Sequence, residues 1–184
     1  MNDDIISDDE LVAKLRNPES RNYGFNLLVR KYQERLYWHI RKMVIDHEDA
    51  DDLLQDTFIK IFNNLEKFRG DSMLFTWVYK IASNTCLSHL SSKRRRFFIP
   101  LHDVAAELSS KLESSSYIDG EAVQLKLHKA LLQLPDKQRM VFNMKYYDEM
   151  KYEEIAEITE TSVGALKANY HHAVKKIENL LKED

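Results

Sequence analysis

The chain contains few of the residues that form turns and disulfides. Its 184 residues include only 4 glycines, 3 prolines and one cysteine, Cys86. Because β-sandwiches and β-barrels need many turns, this shortage argues against them and predicts a nearly all-α chain. A single cysteine cannot form an internal disulfide, and no Cys/His cluster has the spacing of a zinc site. We therefore expect a reducing compartment and no structural metal.

Long apolar runs and a basic amino terminus are also missing. No stretch of roughly 20 apolar residues, the length that spans a bilayer, is present. Residues 1–10 are acidic where a signal peptide needs positive charge. These absences predict a cytoplasmic protein that does not insert into a membrane. The hydrophobic fraction, 43%, is sufficient for the core of one domain or of two small ones.

The charge is slightly negative overall and unevenly distributed. The net charge of −3 argues weakly against a protein that coats nucleic acid without specificity. Acidic residues concentrate at 1–10, 46–56 and 103–121, whereas residues 93–96 form an uninterrupted basic run. This segregation suits a protein that has one basic partner surface and one polyanionic partner.

Apolar periodicity divides the chain into two helical parts. Helices are predicted at about 9–17, 21–45 and 48–65, and a fourth follows the loop at 67–72. Between 97 and 120 the periodicity fades and serine and acidic residues become frequent. It returns near Val123 and is interrupted at Pro135. We predict an all-α fold of two small helical domains, 1–98 and 122–184, joined by a flexible acidic linker at 99–121.

Residues 153–177 predict two short helices around a turn, with the positive charge confined to the second helix. In a helix-turn-helix this second helix lies in the major groove of DNA. Ser162 is suited to be its N-cap. The candidate DNA contacts are Ser162, Lys167, Asn169, His171, His172 and Lys175. The alternative is an ordinary helical hairpin with a solvated basic face. Adjacent helical residues such as His171 and His172 point about 100° apart, so they are poorly placed to chelate one metal ion.

The acidic motif at 49–56 admits three interpretations. Paired aspartates can hold magnesium against a diphosphate in an enzyme, but a second Asp-Asp-x-x-Asp motif, which such a site needs, is missing from the sequence. The motif can also be a solvated helix face. In the third interpretation, Asp52, Gln55 and Asp56 dock against basic side chains of a partner protein.

Aromatic, cationic and amide groups lie close together between residues 68 and 84. Such a mixture binds single-stranded nucleic acid, because bases stack on rings while cations follow the phosphates. The candidates are Phe68, Arg69, Gly70, Asp71, Ser72, Lys80 and Asn84, together with Lys93, Arg94, Arg95 and Arg96. Core packing is the alternative and accounts for Phe75, Trp77 and Ile81. No nucleophile elbow or glycine-rich phosphate loop accompanies these residues, so no enzyme activity, cofactor or small-molecule substrate is predicted.

Four motifs follow one another in order along the chain. They are DDLLQDTF at 51–58, FRGDS at 68–72 with Thr76, Trp77 and Asn84, Leu134-Pro135 with Arg139, and YEEIA at 152–156 followed by Ser-Val-Gly at 162–164. Together they resemble the sigma-70 family of bacterial transcription initiation factors, specifically its extracytoplasmic-function (ECF) group. The resemblance implies two helical domains, called sigma-2 and sigma-4, in a non-enzymatic subunit that directs RNA polymerase to promoters. A stand-alone helix-turn-helix regulator is the alternative.

The resemblance also implies a role for each motif. Core polymerase would bind Asp52, Gln55, Asp56 and Ile59 through its beta-prime clamp helices, and residues 131–144 through its beta flap. The loop at 68–72 and Asn84 would capture a flipped base of the melted −10 promoter element, while Lys80 and residues 93–96 follow its phosphates. The second helix of the helix-turn-helix would meet the −35 element. The linker would enter the polymerase active-site channel, and an anti-sigma factor is a further implied partner.

The sequence departs from the family pattern in three places. Many relatives have Leu-Gly-Ile in the turn where this chain has Thr159-Glu160-Thr161, so a left-handed Glu160 would cost about 1 kcal/mol. Asn169 and the two histidines stand where arginine is common, so the promoter sequence is not inherited from relatives. Leu74 replaces an aromatic residue of some primary sigma factors, and strong autonomous melting is therefore not expected.

Overall fold

The computed structural model describes residues 6–97, 109–110 and 122–182. The first range contains α1 (Asp8–Arg16), α2 (Arg21–Val44), α3 (His47–Asn64), a 3-10 helix (Leu65–Lys67) and α4 (Leu74–Phe97). The last range contains α5 (Ala122–Leu132), α6 (Asp136–Tyr146), α7 (Tyr152–Thr159) and α8 (Val163–Lys182). These described ranges contain helices and no strand, which confirms the all-α prediction. Apart from 109–110, the predicted linker lies outside the described residues.

Short polar side chains begin several of these helices. Ser7 caps α1 in a capping box, in which its hydroxyl accepts from the Glu10 amide and the Glu10 carboxylate accepts from the Ser7 amide. Asp46 caps α3 by accepting from the Asp49 amide at 3.1 Å. Ser162 caps α8, because its hydroxyl accepts from the Ala165 amide at 3.3 Å. The predicted cap of the second helix of the helix-turn-helix is therefore confirmed.

The core of the amino-terminal half lies between α2, α3 and α4, and α1 closes one side of it. Residues of this core that are fully buried include Leu11, Leu28, Leu36, Ile40, Ala50, Ile61, Val78 and Ala82. Within each helix successive members lie 4, 8 or 11 residues apart, close to one, two or three helical turns, which places them on one face. The opposite face of α3 consequently remains available for partners, whereas α4 also packs against the carboxyl-terminal half.

The turn between α7 and α8 is left-handed at a residue other than glycine. Glu160 has φ 53° and ψ 38°, and its amide donates to the Ala156 carbonyl. Apolar residues on both sides, Ile155 and Leu166, are fully buried and hold the two helices together. The helix-turn-helix predicted at 153–177 is therefore present, with Glu160 in the conformation that the sequence argument treated as costly.

The two halves pack against each other. Helix α7 lies against α4, and α6 contacts both α2 and α4. One apolar cluster includes Met43 and Val78 from the first half and Met140, Ile158 and Leu166 from the second. A second cluster lies within the carboxyl-terminal half and contains Leu131, Leu134, Phe142, Ala173 and Ile177 among others. Two domains joined by a linker were predicted from the sequence, but this shared core was not.

Candidate polymerase and nucleic-acid interfaces

The outer face of α3 presents the predicted docking residues in one row. Asp52, Gln55, Asp56 and Ile59 are all exposed, and Ile59 is 58% exposed. Phe62 extends the row by one turn, is 43% exposed and stacks edge-on against Phe25 at 5.0 Å between ring centroids. Phe62 was not predicted from the sequence, although its spacing of three residues from Ile59 places both on the same face of a helix. We call these five residues the α3 docking row.

Asp49 belongs to the same acidic motif but faces the protein. Its carboxylate lies 3.6 Å from the Lys93 ammonium and 3.7 Å from His89 on α4. Asp49 thus links α3 to α4, whereas Asp52 and Asp56 point outward. Within the described residues, no group of three or more His, Cys, Asp or Glu side chains is arranged to hold a metal ion.

The loop at 68–72 is anchored to the protein by its aromatic residue. Phe68 is only 9% exposed and packs against Trp77 with 4.9 Å between ring centroids. Gly70 has φ 84°, and Arg16 Nη2 donates to the Arg69 carbonyl at 2.7 Å. Arg69, Gly70 and Asp71 are exposed, and Ser72 is half-buried. The Phe68 ring therefore supports the loop, and its neighbours offer the accessible groups.

A groove beside this loop brings together residues of two helices. Its volume is about 460 Å³, within the usual range of ligand pockets. It is lined by Lys60, Asn64, Lys67, Trp77, Lys80, Ile81, Asn84, Thr85 and Ser88. Lys60 Nζ donates to the Thr85 hydroxyl at 3.1 Å across it. The groove thus combines an indole ring, amides and three lysines.

The groove was only partly predicted from the sequence. Lys80 and Asn84 were expected there, whereas Trp77 was assigned to the core. The side chains of Lys60, Asn64 and Lys67 were missed, because they come from the preceding helix and its 3-10 extension. The spacing of four residues between Lys60 and Asn64 was the available signal, since it places both on one face of α3.

The side chains of the basic run at 93–96 lie in different environments. Lys93 pairs with Asp49, and Arg94 forms an ion pair with Asp136 at the start of α6. Arg95 is exposed. The Arg96 side chain lies outside the described residues. Two of the four predicted phosphate contacts are therefore engaged within the protein.

The outward face of α8 carries most of the predicted −35 contacts. Ser162, Lys167, His171, His172 and Lys175 are exposed, and Asn169 is half-buried. The Lys167 ammonium lies 5.7 Å from the centre of the Tyr152 ring, a cation–π distance that holds the lysine near the face of α7. The ring centroids of His171 and His172 are 6.2 Å apart, and the two ring planes are inclined at 58° to each other. This geometry fits two separate groove-facing groups.

The segment expected at the beta flap is mostly buried in this arrangement. Between residues 131 and 144, only Gln133, Pro135 and Lys137 are exposed. Leu134 and Met144 are fully buried, and Arg139 is 2% exposed. Most of this segment therefore cannot contact a partner while the two halves remain packed together.

Comparison with known proteins assigns the chain to a family. The family model for Sigma-70 region 2 matches residues 28–96, and that for Sigma-70 region 4 matches residues 124–177. The RNA polymerase sigma-H factor of Pseudomonas aeruginosa is 31% identical over 95% of this chain and 93% of its own length. The chain belongs to the sigma-70 family. The ECF RNA polymerase sigma-E factor of Escherichia coli K12, 30% identical over 95% of this chain and 94% of its own, supports the ECF group.

Two solved structures share the fold of this sigma-70 family chain. The sigma factor RpoE of Bartonella quintana, solved with the anti-sigma factor NepR, has a TM-score of 0.65 and 22% identity; the match covers 87% of this chain and 98% of RpoE. CnrH, solved with the cytosolic domain of CnrY, has a TM-score of 0.68 and 23% identity; the match covers 96% of this chain and 98% of CnrH.

Family membership confirms the prediction of a non-enzymatic sigma factor rather than a stand-alone regulator. Region 2 spans the α3 docking row and the groove beside Asn84, while region 4 spans the helix-turn-helix. Among the helices that the structure describes, none combines the length and the apolar character that crossing a membrane requires.

Proposed function

We propose that the chain binds core RNA polymerase and positions it on promoters through three surfaces: the α3 docking row, the groove beside Asn84, and the outward face of α8. The observation that carries the proposal is the presence in one chain of both a helix-turn-helix and a groove of about 460 Å³ lined by Trp77, Asn84 and lysines. A regulator that reads duplex DNA needs only the helix-turn-helix, whereas a factor that also opens DNA needs a place for an unpaired base.

The α3 docking row is the proposed contact with the beta-prime clamp helices. Its carboxylates, Asp52 and Asp56, complement a basic helix and favour fast, correctly oriented association. Ile59 and Phe62 add exposed apolar area at the end of the row, and burial of such area stabilises a complex. The Gln55 amide lies between the acidic pair and the apolar pair and can hydrogen-bond to either kind of neighbour.

The groove beside Asn84 is the proposed site for the melted −10 strand. A base that leaves the stack loses a few kcal/mol of stacking and pairing, which the protein must offset. Trp77 offers an aromatic edge, and Asn84 offers a donor and an acceptor that can distinguish bases. Lys60, Lys67 and Lys80 surround the groove and provide cations for the flanking phosphates. The loop at 68–72 packs against Trp77 through Phe68, and its exposed groups are proposed to contact the same strand.

Helix α8 is the proposed reader of the −35 element. Asn169, His171 and His172 can hydrogen-bond base edges, while Lys167 and Lys175 can contact bases or phosphates. A histidine carries little standing charge at neutral pH, so this face attracts DNA less strongly than an arginine-rich helix. Firm binding would therefore require polymerase to hold both DNA-contacting regions on one promoter.

The remaining proposals concern an anti-sigma partner, the location, and two further contacts with polymerase. An anti-sigma factor is a proposed partner, supported by the sigma factor RpoE of the same fold, which was crystallised with the anti-sigma factor NepR. The proposed location is the cytoplasm, where core polymerase is present. We also propose that residues 131–144 bind the beta flap once the halves separate, and that the acidic linker at 99–121 enters the active-site channel.

Promoter-directed transcription tests the proposal. Core polymerase is combined with the purified chain on a library of genomic fragments, and run-off transcripts are mapped. Discrete new start sites are expected, and Asn84→Ala should reduce them because the flipped base loses its hydrogen-bonding partner. Asn179→Ala, which alters an exposed asparagine near the end of α8, is the matched control. The absence of new start sites with the unaltered chain would contradict the proposal.

A further inference from the structure

Two cations of the proposed −10 site are paired with carboxylates of the opposite half. Lys80 Nζ donates to the Glu160 carboxylate at 2.6 Å, and Glu160 lies in the turn of the helix-turn-helix. Arg94 pairs with Asp136, the first residue of α6. These two pairs come from separate elements of the carboxyl-terminal half, yet both carboxylates meet α4 at groups assigned to DNA phosphates.

The interface around these pairs is packed and contains desolvated polar groups. The Arg139 guanidinium is 2% exposed and donates to the Met43 carbonyl at 3.0 Å. Asp148 pairs with Lys42, and its second oxygen lies 3.5 Å from Nδ1 of the buried His39. Buried charges need partners that remain in place. This closed arrangement of the two halves is therefore a defined conformation, in which Asp136 is largely buried and Glu160 reaches Lys80 at the exposed edge of the interface.

The closed arrangement is incompatible with simultaneous reading of both promoter elements. Asn84 and Asn169, which are proposed to read the −10 and −35 elements, line the same cavity of about 220 Å³ between α4 and the helix-turn-helix. Positions −10 and −35 are about 25 base pairs apart, or roughly 85 Å at about 3.4 Å per base pair. The two asparagines must therefore separate before promoter binding.

We propose that the carboxyl-terminal half is an internal competitor for the −10 strand, with the carboxylates of Asp136 and Glu160 in the places of two DNA phosphates. This inference rests on the proposed function. The backbone of Glu160 is consistent with this role, because glycine would adopt φ 53° with less strain but would leave Lys80 without this carboxylate. The closed chain binds single-stranded DNA weakly, and opening of the halves frees Lys80 and Arg94.

The double variant Asp136→Asn/Glu160→Gln tests the competition in the full chain. Its affinity for a fluorescent single-stranded oligonucleotide is measured by anisotropy at low salt, without polymerase. The matched control is Glu153→Gln/Glu178→Gln, which removes the same number of charges from exposed residues of the same half. The first variant should bind roughly three- to tenfold more tightly than the control, because it loses two ion pairs with α4, an exposed one at Glu160 and a largely buried one at Asp136. Equal affinities would overturn the proposal.

A second variant keeps the test decisive if the double variant unfolds. Glu160→Gly removes one carboxylate while relieving the left-handed strain, so it should fold and bind the oligonucleotide about two- to fivefold more tightly than Glu153→Gln. Binding no tighter than that of Glu153→Gln would contradict internal competition.

Binding of the unaltered chain to core polymerase is measured separately. Failure to bind core would refute the proposed function. Normal core binding, combined with variants that bind DNA no better than their controls, would refute the internal competition alone.

Discussion

Glu160 occupies a backbone conformation that residues other than glycine adopt at a cost. Its φ of 53° places Cβ close to the backbone, with a strain of about 1 kcal/mol. Glu160→Gly and Glu160→Gln both lose the carboxylate that meets Lys80, but only glycine relieves the strain. We predict that the glycine variant is about 1 kcal/mol more stable than the glutamine variant in urea unfolding. Equal stabilities would show that the turn carries no strain.

Asp148 is a largely buried carboxylate at the interface between the halves, and its side chain is 12% exposed. Burial alone would raise its pKa, but His39 and Lys42 together outweigh burial and lower the pKa below the ordinary value of 3.8. A carboxyl group with a lowered folded pKa stabilises the protein fully above its unfolded pKa. That contribution is lost as the pH falls through the folded pKa.

Asp148→Asn should therefore lower the free energy of unfolding by about 2 kcal/mol at pH 7, because a buried charged partner, Lys42, loses its counter-ion. The difference from the unaltered protein should shrink as the pH falls below about 4. Urea titrations at pH 7, 5 and 3 measure this, with Glu153→Gln as the control on an exposed site. A difference that is independent of pH would exclude an ionised Asp148 as the cause.

Local patterns predicted some residues well and others poorly. The Ser162 cap was predictable because it depends on neighbours a few residues away, whereas the special position of Glu160 was implied by the resemblance to the family's turn. Asp148 was not singled out, since its partner Lys42 lies 106 residues away in the sequence. Phe68 was predicted to face nucleic acid, but aromatic content alone does not show which way a ring points, and this ring packs against Trp77.

At the scale of helices, α3 has two faces with different tasks. Its inner face joins the core, and its outer face carries the α3 docking row. Asp56→Arg reverses a charge in the middle of this row without touching the core, so we predict that it abolishes core polymerase binding and leaves the helical circular dichroism unchanged. Asp9→Arg makes the same charge change on the exposed surface of α1. If Asp56→Arg binds core as well as Asp9→Arg does, the docking assignment is wrong.

Helix α8 should read sequence as well as charge. In the complex with core polymerase, Lys167→Ala is predicted to weaken binding to a −35 duplex by about 1–3 kcal/mol and to change the preferred sequence. Competition among randomised −35 duplexes measures both effects, with Lys182→Ala at the end of α8 as the control. A uniform loss for all sequences would reduce Lys167 to a phosphate contact.

Helix positions were predicted closely because apolar periodicity is a local property. The expected helix at 21–45 is α2 at Arg21–Val44, and the one at 48–65 is α3 at His47–Asn64. The groove beside Asn84 was only half predicted, because its lining comes from two helices and the loop between them. Periodicity assigns Trp77 to the core side of α4, and only the packing of α3 against α4 shows that its edge also lines the groove.

At the scale of the whole molecule, the two halves form one packed unit through contacts between residues far apart in sequence. Lys80 meets Glu160, and Arg139 meets the Met43 carbonyl. No local pattern specifies such contacts, so the sequence predicted the halves but not their packing. The arrangement covers most of residues 131–144 and brings Asn84 near Asn169. Polymerase binding must therefore separate the halves if all three proposed surfaces act together.

The central claim is that this chain acts as a subunit of RNA polymerase. Its most direct test is size-exclusion chromatography of the purified chain with core polymerase, followed by measurement of promoter binding by the complex and by the free chain. We predict a stable complex with one copy of the chain, and promoter binding by that complex far tighter than by the free chain. Failure to form a complex, together with specific duplex binding by the chain alone, would contradict the account.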